Sequence, residues 1–194
     1  GLSRANAISE SYLDLARQKG QTPLELKMWC LQKTFSHYIL GVVSGTLTPL
    51  GFLTVTALSG GTPAQQIISL LSAGVCDGIS DSVAAGQATQ SDSRASWAQQ
   101  IAMFSKTMAG KVLIPITFIP TVVVASSPTQ TCALATGWAL TLLASTSAIQ
   151  AIANGKSVVR EVSKSAGFGL AAASVGAVLG QTLPPVLSKF LSWF

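Results

Sequence analysis

Two acidic residues stand where acidic residues are expensive. Asp77 and Asp81 interrupt an otherwise apolar run over residues 67–89. They are four apart, so on a helix they share one face, one turn apart. A carboxylate at the centre of a bilayer costs at least ~2.5–3.5 kcal/mol, so two stacked ones demand compensation. A bound cation, a proton or a water-filled path would supply it. Oxygen ligands suit hard or borderline divalent cations. Ser80 and Ser82 lie beside the pair, and Gly74, Ala84 and Ala85 share its face. The competing arrangement puts both carboxylates near the polar end of their helix, in water or paired with Arg94, Lys106 or Lys111. Asp81 would lie about two turns inside that end, too deep for a short side chain to snorkel, which favours a functional role.

No other residue set carries comparable chemistry. His37 is a lone histidine at the start of an apolar run, the usual setting of a packing residue. Met103 and Met108 flank Lys106 and fit core packing better than a soft-metal site. Cys30, Cys76 and Cys132 are odd in number and form no CxxC pair. No Ser-His-Asp set, HExxH, phosphate-binding loop or GxGxxG can be assembled. The chain is therefore not expected to be an enzyme, and no tightly bound cofactor is expected.

The elements that must position the aspartates are read from hydropathy. The chain is 48% hydrophobic and only 10% charged, with a mean hydropathy of +0.50. A soluble domain carries about 25% charged residues. Five apolar stretches are long enough to span a bilayer or nearly so: 38–58, 67–89, 112–126 extended backward to Met108, 132–153 and 166–187. The fold class is all-α, a polytopic membrane protein with five transmembrane helices. Pro49, Pro115 and Pro120 fall inside spans and should kink them. In the fifth span Ala172, Gly176 and Gly180 recur every four residues, a spacing that lets two helix backbones approach closely.

Three segments follow. Residues 1–35 are a cytoplasmic or interfacial amphipathic segment, with one helical pattern around residues 12–19 and a second opening at Thr22-Pro23-Leu24-Glu25, a capping signature. Trp29 and Lys33 suit a membrane surface. This stretch holds Glu10 and Asp14 and no apolar centre, unlike an intact secretory signal. Residues 36–187 form the transmembrane domain, and 188–194, with Lys189 and Trp193, an interfacial tail.

The loop charges set the orientation. Arg4, Arg17, Lys19, Lys27 and Lys33 precede the first span, Arg94, Lys106 and Lys111 lie between spans two and three, and Lys156, Arg160 and Lys164 between four and five. With five crossings, eleven of the twelve Lys and Arg fall on one side and only Lys189 on the other. The positive-inside rule then puts the N-terminus in the cytoplasm and the C-terminus outside it. The basic residues form no aromatic-interleaved patch, so the bilayer and not nucleic acid is the expected partner.

Several segments resemble the vacuolar iron transporter family over roughly residues 35–187. Gly41-Val-Val-Ser44-Gly45-Thr-Leu-Thr-Pro49 is similar to the family's Gly-x-x-Asp-Gly-x-x-x-Pro segment, with Ser44 in place of the Asp. Ser72-Ala-Gly-Val-Cys-Asp77-Gly78-Ile-Ser80-Asp81 resembles its small-residue run ending in Gly-Ile-Ser-Met, with Asp81 at the Met position. Ala85 stands where a Glu often follows. Gly169 to Gly180 resembles the closing helix, and Asn154-Gly-Lys156 with Arg160 the basic loop before it. The long Glu-rich cytoplasmic insert of many members is absent from the connection after span two, so the chain would be a divergent member.

The resemblance implies a dimer that moves Fe2+ or Mn2+ out of the cytosol in exchange for protons, in a vacuolar, organellar or bacterial inner membrane. Transported metal would meet Asp77, Asp81, Ser44, Thr48 and Ser80, along spans one and two. Gly41, Gly45 and Pro49 would lie at the two-fold axis. The rival expectation is a non-transporting structural or scaffold subunit of the same fold, within a larger membrane complex; the altered pathway residues favour it, and the buried Asp pair favours transport.

Overall fold

The computed structural model describes residues 23–90 and 97–191. The chain divides into two compact units, Gly1–Ser36 and His37–Phe194. The helical pattern around residues 12–19, the Thr22 cap, Arg94 and Trp193 lie outside the described residues.

Six helices follow in order: α1 Pro23–Leu58, α2 Pro63–Gln90, α3 Trp97–Ile116, α4 Ile119–Val123, α5 Pro128–Ala153 and α6 Val158–Leu191. No strand occurs among the described residues. Five segments are long and apolar enough to cross a membrane: Gly41–Leu58, Pro63–Ala85, Gln100–Val123, Pro128–Ala153 and Val158–Leu191. At 1.5 Å per residue the 34-residue α6 is about 50 Å long, against a hydrocarbon core of roughly 30 Å. Its first turns, with Arg160, Glu161 and Lys164, therefore reach beyond the hydrocarbon. There Lys164 pairs with Glu161 at 3.0 Å.

Local sequence explains where the helices start and stop. Thr62 and Gln65 form a reciprocal capping box at the start of α2. The Thr62 amide donates to Gln65 Oε1 at 2.8 Å and the Gln65 amide to Thr62 Oγ1 at 3.3 Å, with Pro63 at the first helical position. Ser127 caps α5 in the same manner, accepting from the Gln130 amide at 3.2 Å ahead of Pro128. At the other end of α5, Gly155 takes φ +62°. The amides of Gly155 and Lys156 then return to the carbonyls of Ile152 and Ala151, a Schellman closure.

The third crossing departs from the sequence reading in extent and in form. It begins well before Met108, because α3 opens at Trp97 and the apolar window at Gln100. Lys106 and Lys111 are therefore inside a span and not in the preceding loop. The crossing is also broken. Pro120 has no amide hydrogen to give the Ile116 carbonyl, and its ring crowds that carbonyl. Residues 117 and 118 close tight turns onto Ile114 and Pro115 before α4 resumes.

A core of Leu50, Leu53, Leu70, Phe118, Val122, Ala135 and Ala139 joins α1, α2, α4 and α5. Large apolar side chains such as Ile68, Val75, Ile79, Leu113, Ile149, Val175 and Val178 point outward and are exposed. An apolar exterior of this kind is what lipid solvates. Helix contacts are made mainly by small residues. A Cβ on Gly176 would lie 2.9 Å from the Gly51 carbonyl oxygen, and one on Gly180 2.8 Å from that of Val55. The four-residue glycine repeat of the fifth span thus seats α6 against α1. Gly41 and Gly45 do not lie open for a symmetry mate. A Cβ on Gly41 would lie 3.0 Å from the Thr107 carbonyl oxygen and one on Gly45 3.2 Å from that of Gly110, so this seam packs α1 on α3 of the same chain.

Candidate functional site

Asp77 lies near the middle of α2, with about 20 Å of helix on either side. Lys111 lies near the middle of the window Gln100–Val123. The two meet. Lys111 Nζ forms an ion pair with Asp77 Oδ2 and a second with Asp81 Oδ2, the latter at 2.7 Å. It also donates to Ser44 Oγ, and Ser44 in turn donates to Asp81 Oδ2 at 3.1 Å. An ammonium has three hydrogens to give. All three acceptors are within reach, one from α1 and two from α2.

Glycines make the meeting possible. A Cβ on Gly45 would lie 3.3 Å from Lys111 Cα, and one on Gly78 3.1 Å from Lys111 Cβ and the same distance from Met108 Sδ. Gly74, a turn before, faces Pro115, whose Cγ would be 2.6 Å from an added Cβ. Lys111 thus sits in a slot formed by a glycine on α1 and another on α2. Its side chain is entirely buried, whereas Asp77 and Asp81 keep 29% and 36% of theirs exposed. The open side of the cluster is the carboxylate side.

The charges do not balance. With all three groups ionised, two carboxylates face one ammonium and a net negative charge remains inside the span. The ion pair needs its partners at this depth: an uncompensated buried charge costs several kcal/mol, about 3–5 when one member of a pair is removed. Lys111 offsets one carboxylate and leaves room for one further positive charge.

The expected site residues divide on this geometry. Ser44, Asp77 and Asp81 come together. Thr48 is half-buried one turn further along α1, and Ser80 is exposed on α2; neither shares a hydrogen bond with the cluster among the described residues. Among the described residues no three His, Cys, Asp or Glu side chains gather in one place. A cation here would be held by two carboxylates and hydroxyls, a loose oxygen set and not a closed cage. Lys111 entered the sequence reading only as one of three cations that could pair with the aspartates near the polar end of their helix, and it is the one that does. The strongly apolar part of the third span starts at Val112, and only its backward extension to Met108 takes in Lys111. The signal that singles it out is charge balance: two intramembrane carboxylates require a cation, and Lys111 is the Lys or Arg within the extended third span, next to Gly110.

Fold and site together define an all-α polytopic membrane protein with a charged cluster at the centre of its first three crossings. No protein-family model, no curated protein and no solved structure matches the chain.

Proposed function

We propose that the chain is a cation transporter in which Asp77 and Asp81 form the membrane-embedded site. The observation that carries this reading is the unbalanced cluster: a single buried ammonium set against two partly open carboxylates. Intramembrane ionisable groups of this kind belong to ion and proton pathways. The oxygen-only donor set suits a hard or borderline divalent ion, Mn2+ or Fe2+, and the resemblance to the vacuolar iron transporter family points to exchange of such an ion for protons, outward from the cytosol. Asp81, held by both Lys111 and Ser44, is the principal ligand; Asp77 is the second.

Carboxylates one-third exposed within a membrane span require cover that lipid cannot give. A second copy of the chain against the open face of α2 supplies it, in keeping with the dimer that the resemblance implies. Orientation follows the loop charges. With Lys106 and Lys111 removed to the third span, nine of the ten remaining Lys and Arg fall on the side of the N-terminus, which is assigned to the cytoplasm. Cysteines introduced at Thr62 and Lys156 should label from opposite sides, Lys156 from the cytoplasmic one.

The test is Mn2+ flux into liposomes holding the purified protein. Wild type should carry Mn2+, Asp81→Asn should abolish the flux with the fold intact, and Asp77→Asn should reduce it less. A second reading has its own observation. The ammonium is matched to its acceptors donor for donor, as a structural clamp on α1, α2 and α3 would be. A wild type that moves no Mn2+, with variants that only melt earlier, would establish that scaffold role.

A further inference from the structure

Two more polar groups are buried beside the cluster. Ser82 Oγ and Thr107 Oγ1 are fully buried and have no hydrogen-bond partner. Buried hydroxyls are nearly always paired, so each such group calls for an explanation. Their positions relate them. Gly74 packs on Pro115 and Lys111, and Gly78 on Lys111 and Met108, so contacts step forward along α2 as they step back along α3 and the two helices run antiparallel. The next turn of this seam sets Ser82 opposite Thr107. Thr107 is also four residues before Lys111 on α3, and helical side chains lean toward the N-terminus of their helix. The Lys111 stem therefore extends over the turn that carries Thr107.

We propose that Lys111 is a tethered cation with two seats. In the first, seen here, its ammonium fills the place between Asp77, Asp81 and Ser44 that a transported cation would take. In the second it turns toward the hydroxyls of Thr107 and Ser82, which have lone pairs to offer and no partner from the protein. The inference rests on the transport reading of the Asp pair and adds to it the residue that empties and refills the site. With Lys111 in the first seat, an entering ion meets an occupied site. With Lys111 in the second, both carboxylates face the ion and the ammonium stays solvated by protein. The membrane never holds the bare carboxylate pair. Lys111 also selects: a cation must bind the pair strongly enough to displace an ammonium already seated, which favours a divalent ion over a monovalent one.

The double-mutant test uses Mn2+ as the probe and the full chain in detergent or nanodiscs, read by calorimetry. Removing the second seat with Ser82→Ala and Thr107→Val should weaken Mn2+ binding by roughly tenfold while Lys111 is present. In a Lys111→Gln background, which has no ammonium to relocate, Mn2+ should bind roughly tenfold more tightly than to wild type, and the hydroxyl substitutions should then change nothing. Equal effects of the hydroxyl substitutions in both backgrounds, or no effect in either, would overturn the two-seat inference while leaving the Asp pair as a cation site. Failure of both wild type and Lys111→Gln to bind Mn2+ would instead remove the transport reading and this inference with it. Should Lys111→Gln not fold, the hydroxyl pair in the wild-type background decides alone, because deleting unpartnered hydroxyls leaves packing intact; an unchanged affinity there overturns the proposal.

Discussion

The two halves of the transmembrane unit are held by different physics. On one side, α1, α2 and α3 meet around a buried lysine, with glycines at 41, 45, 74, 78 and 110 bringing backbones close enough for its ammonium to reach two other helices. On the other, α5 and α6 pack by shape. Gly169 lies under Leu140 and Leu143, and the polar link across that pair is a hydroxyl contact between Ser147 and Ser165. Remaining hydroxyls in α5, such as Thr141, Ser145 and Thr146, bond to carbonyls of their own helix. That serves only to satisfy a polar group in an apolar medium. A purely structural bundle could be built entirely like the second half. The first half sets two carboxylates around one buried lysine, an arrangement that packing does not need.

The largest effect is expected at Lys111. Lys111→Met leaves two carboxylates unpaired at mid-span and should cost about 3–5 kcal/mol of stability without a bound cation. The triple change Asp77→Asn, Asp81→Asn, Lys111→Met removes every charge and should melt close to wild type. Thermal unfolding in mild detergent reads both, and a Lys111→Met protein as stable as wild type would mean that the cluster bears no net cost.

Glycine substitutions come next in size and sharpen the contrast. Gly74→Ala puts a methyl 2.6 Å from Pro115 Cγ, a ring atom that cannot swing aside. Overpacking of about 1–3 kcal/mol should outweigh the helix-propensity gain of roughly 1 kcal/mol. Gly137→Ala on α5 and Gly167→Ala on α6 meet nothing within 4 Å. The same substitution there should be neutral or stabilising by up to about 1 kcal/mol. Equal melting shifts at Gly74 and Gly137 would remove the distinction. The smallest effect belongs to Ser147→Ala, which forfeits the hydroxyl contact with Ser165 and should cost about 0.6 kcal/mol, as interhelical hydrogen bonds in membranes do on average.

Much of the architecture was legible before any coordinates. Each of the five apolar runs corresponds to a crossing, and the Asp77–Asp81 spacing puts both carboxylates against one neighbour. The glycine repeat at 172–180 marks a close helix contact, although its partner, α1, could not be read from spacing. The start of the third span was set too late because Lys106 and Lys111 lower the hydropathy of the stretch before Val112, so Lys111 could be named as a partner of the aspartates but not placed well inside the span. The break at residues 117–118 was legible only as a kink. Pro115 and Pro120 announce missing hydrogen bonds, but whether a helix bends or restarts depends on what packs there, and Phe118 is drawn into the core. Thr107 carries no sequence signal, and Ser82 stands out only as the neighbour of Asp81. An intramembrane hydroxyl is ordinary until its helix neighbours prove unable to pair it.

The most direct test compares Mn2+ flux through liposomes bearing wild-type protein with flux through the triple variant Asp77→Asn, Asp81→Asn, Lys111→Met, whose packing is kept while its charges are gone. The account predicts robust flux in the first and none in the second, at matched incorporation and melting temperature. Equal flux in the two, or none in the wild type, would contradict it and leave the charged cluster as a clamp on three helices.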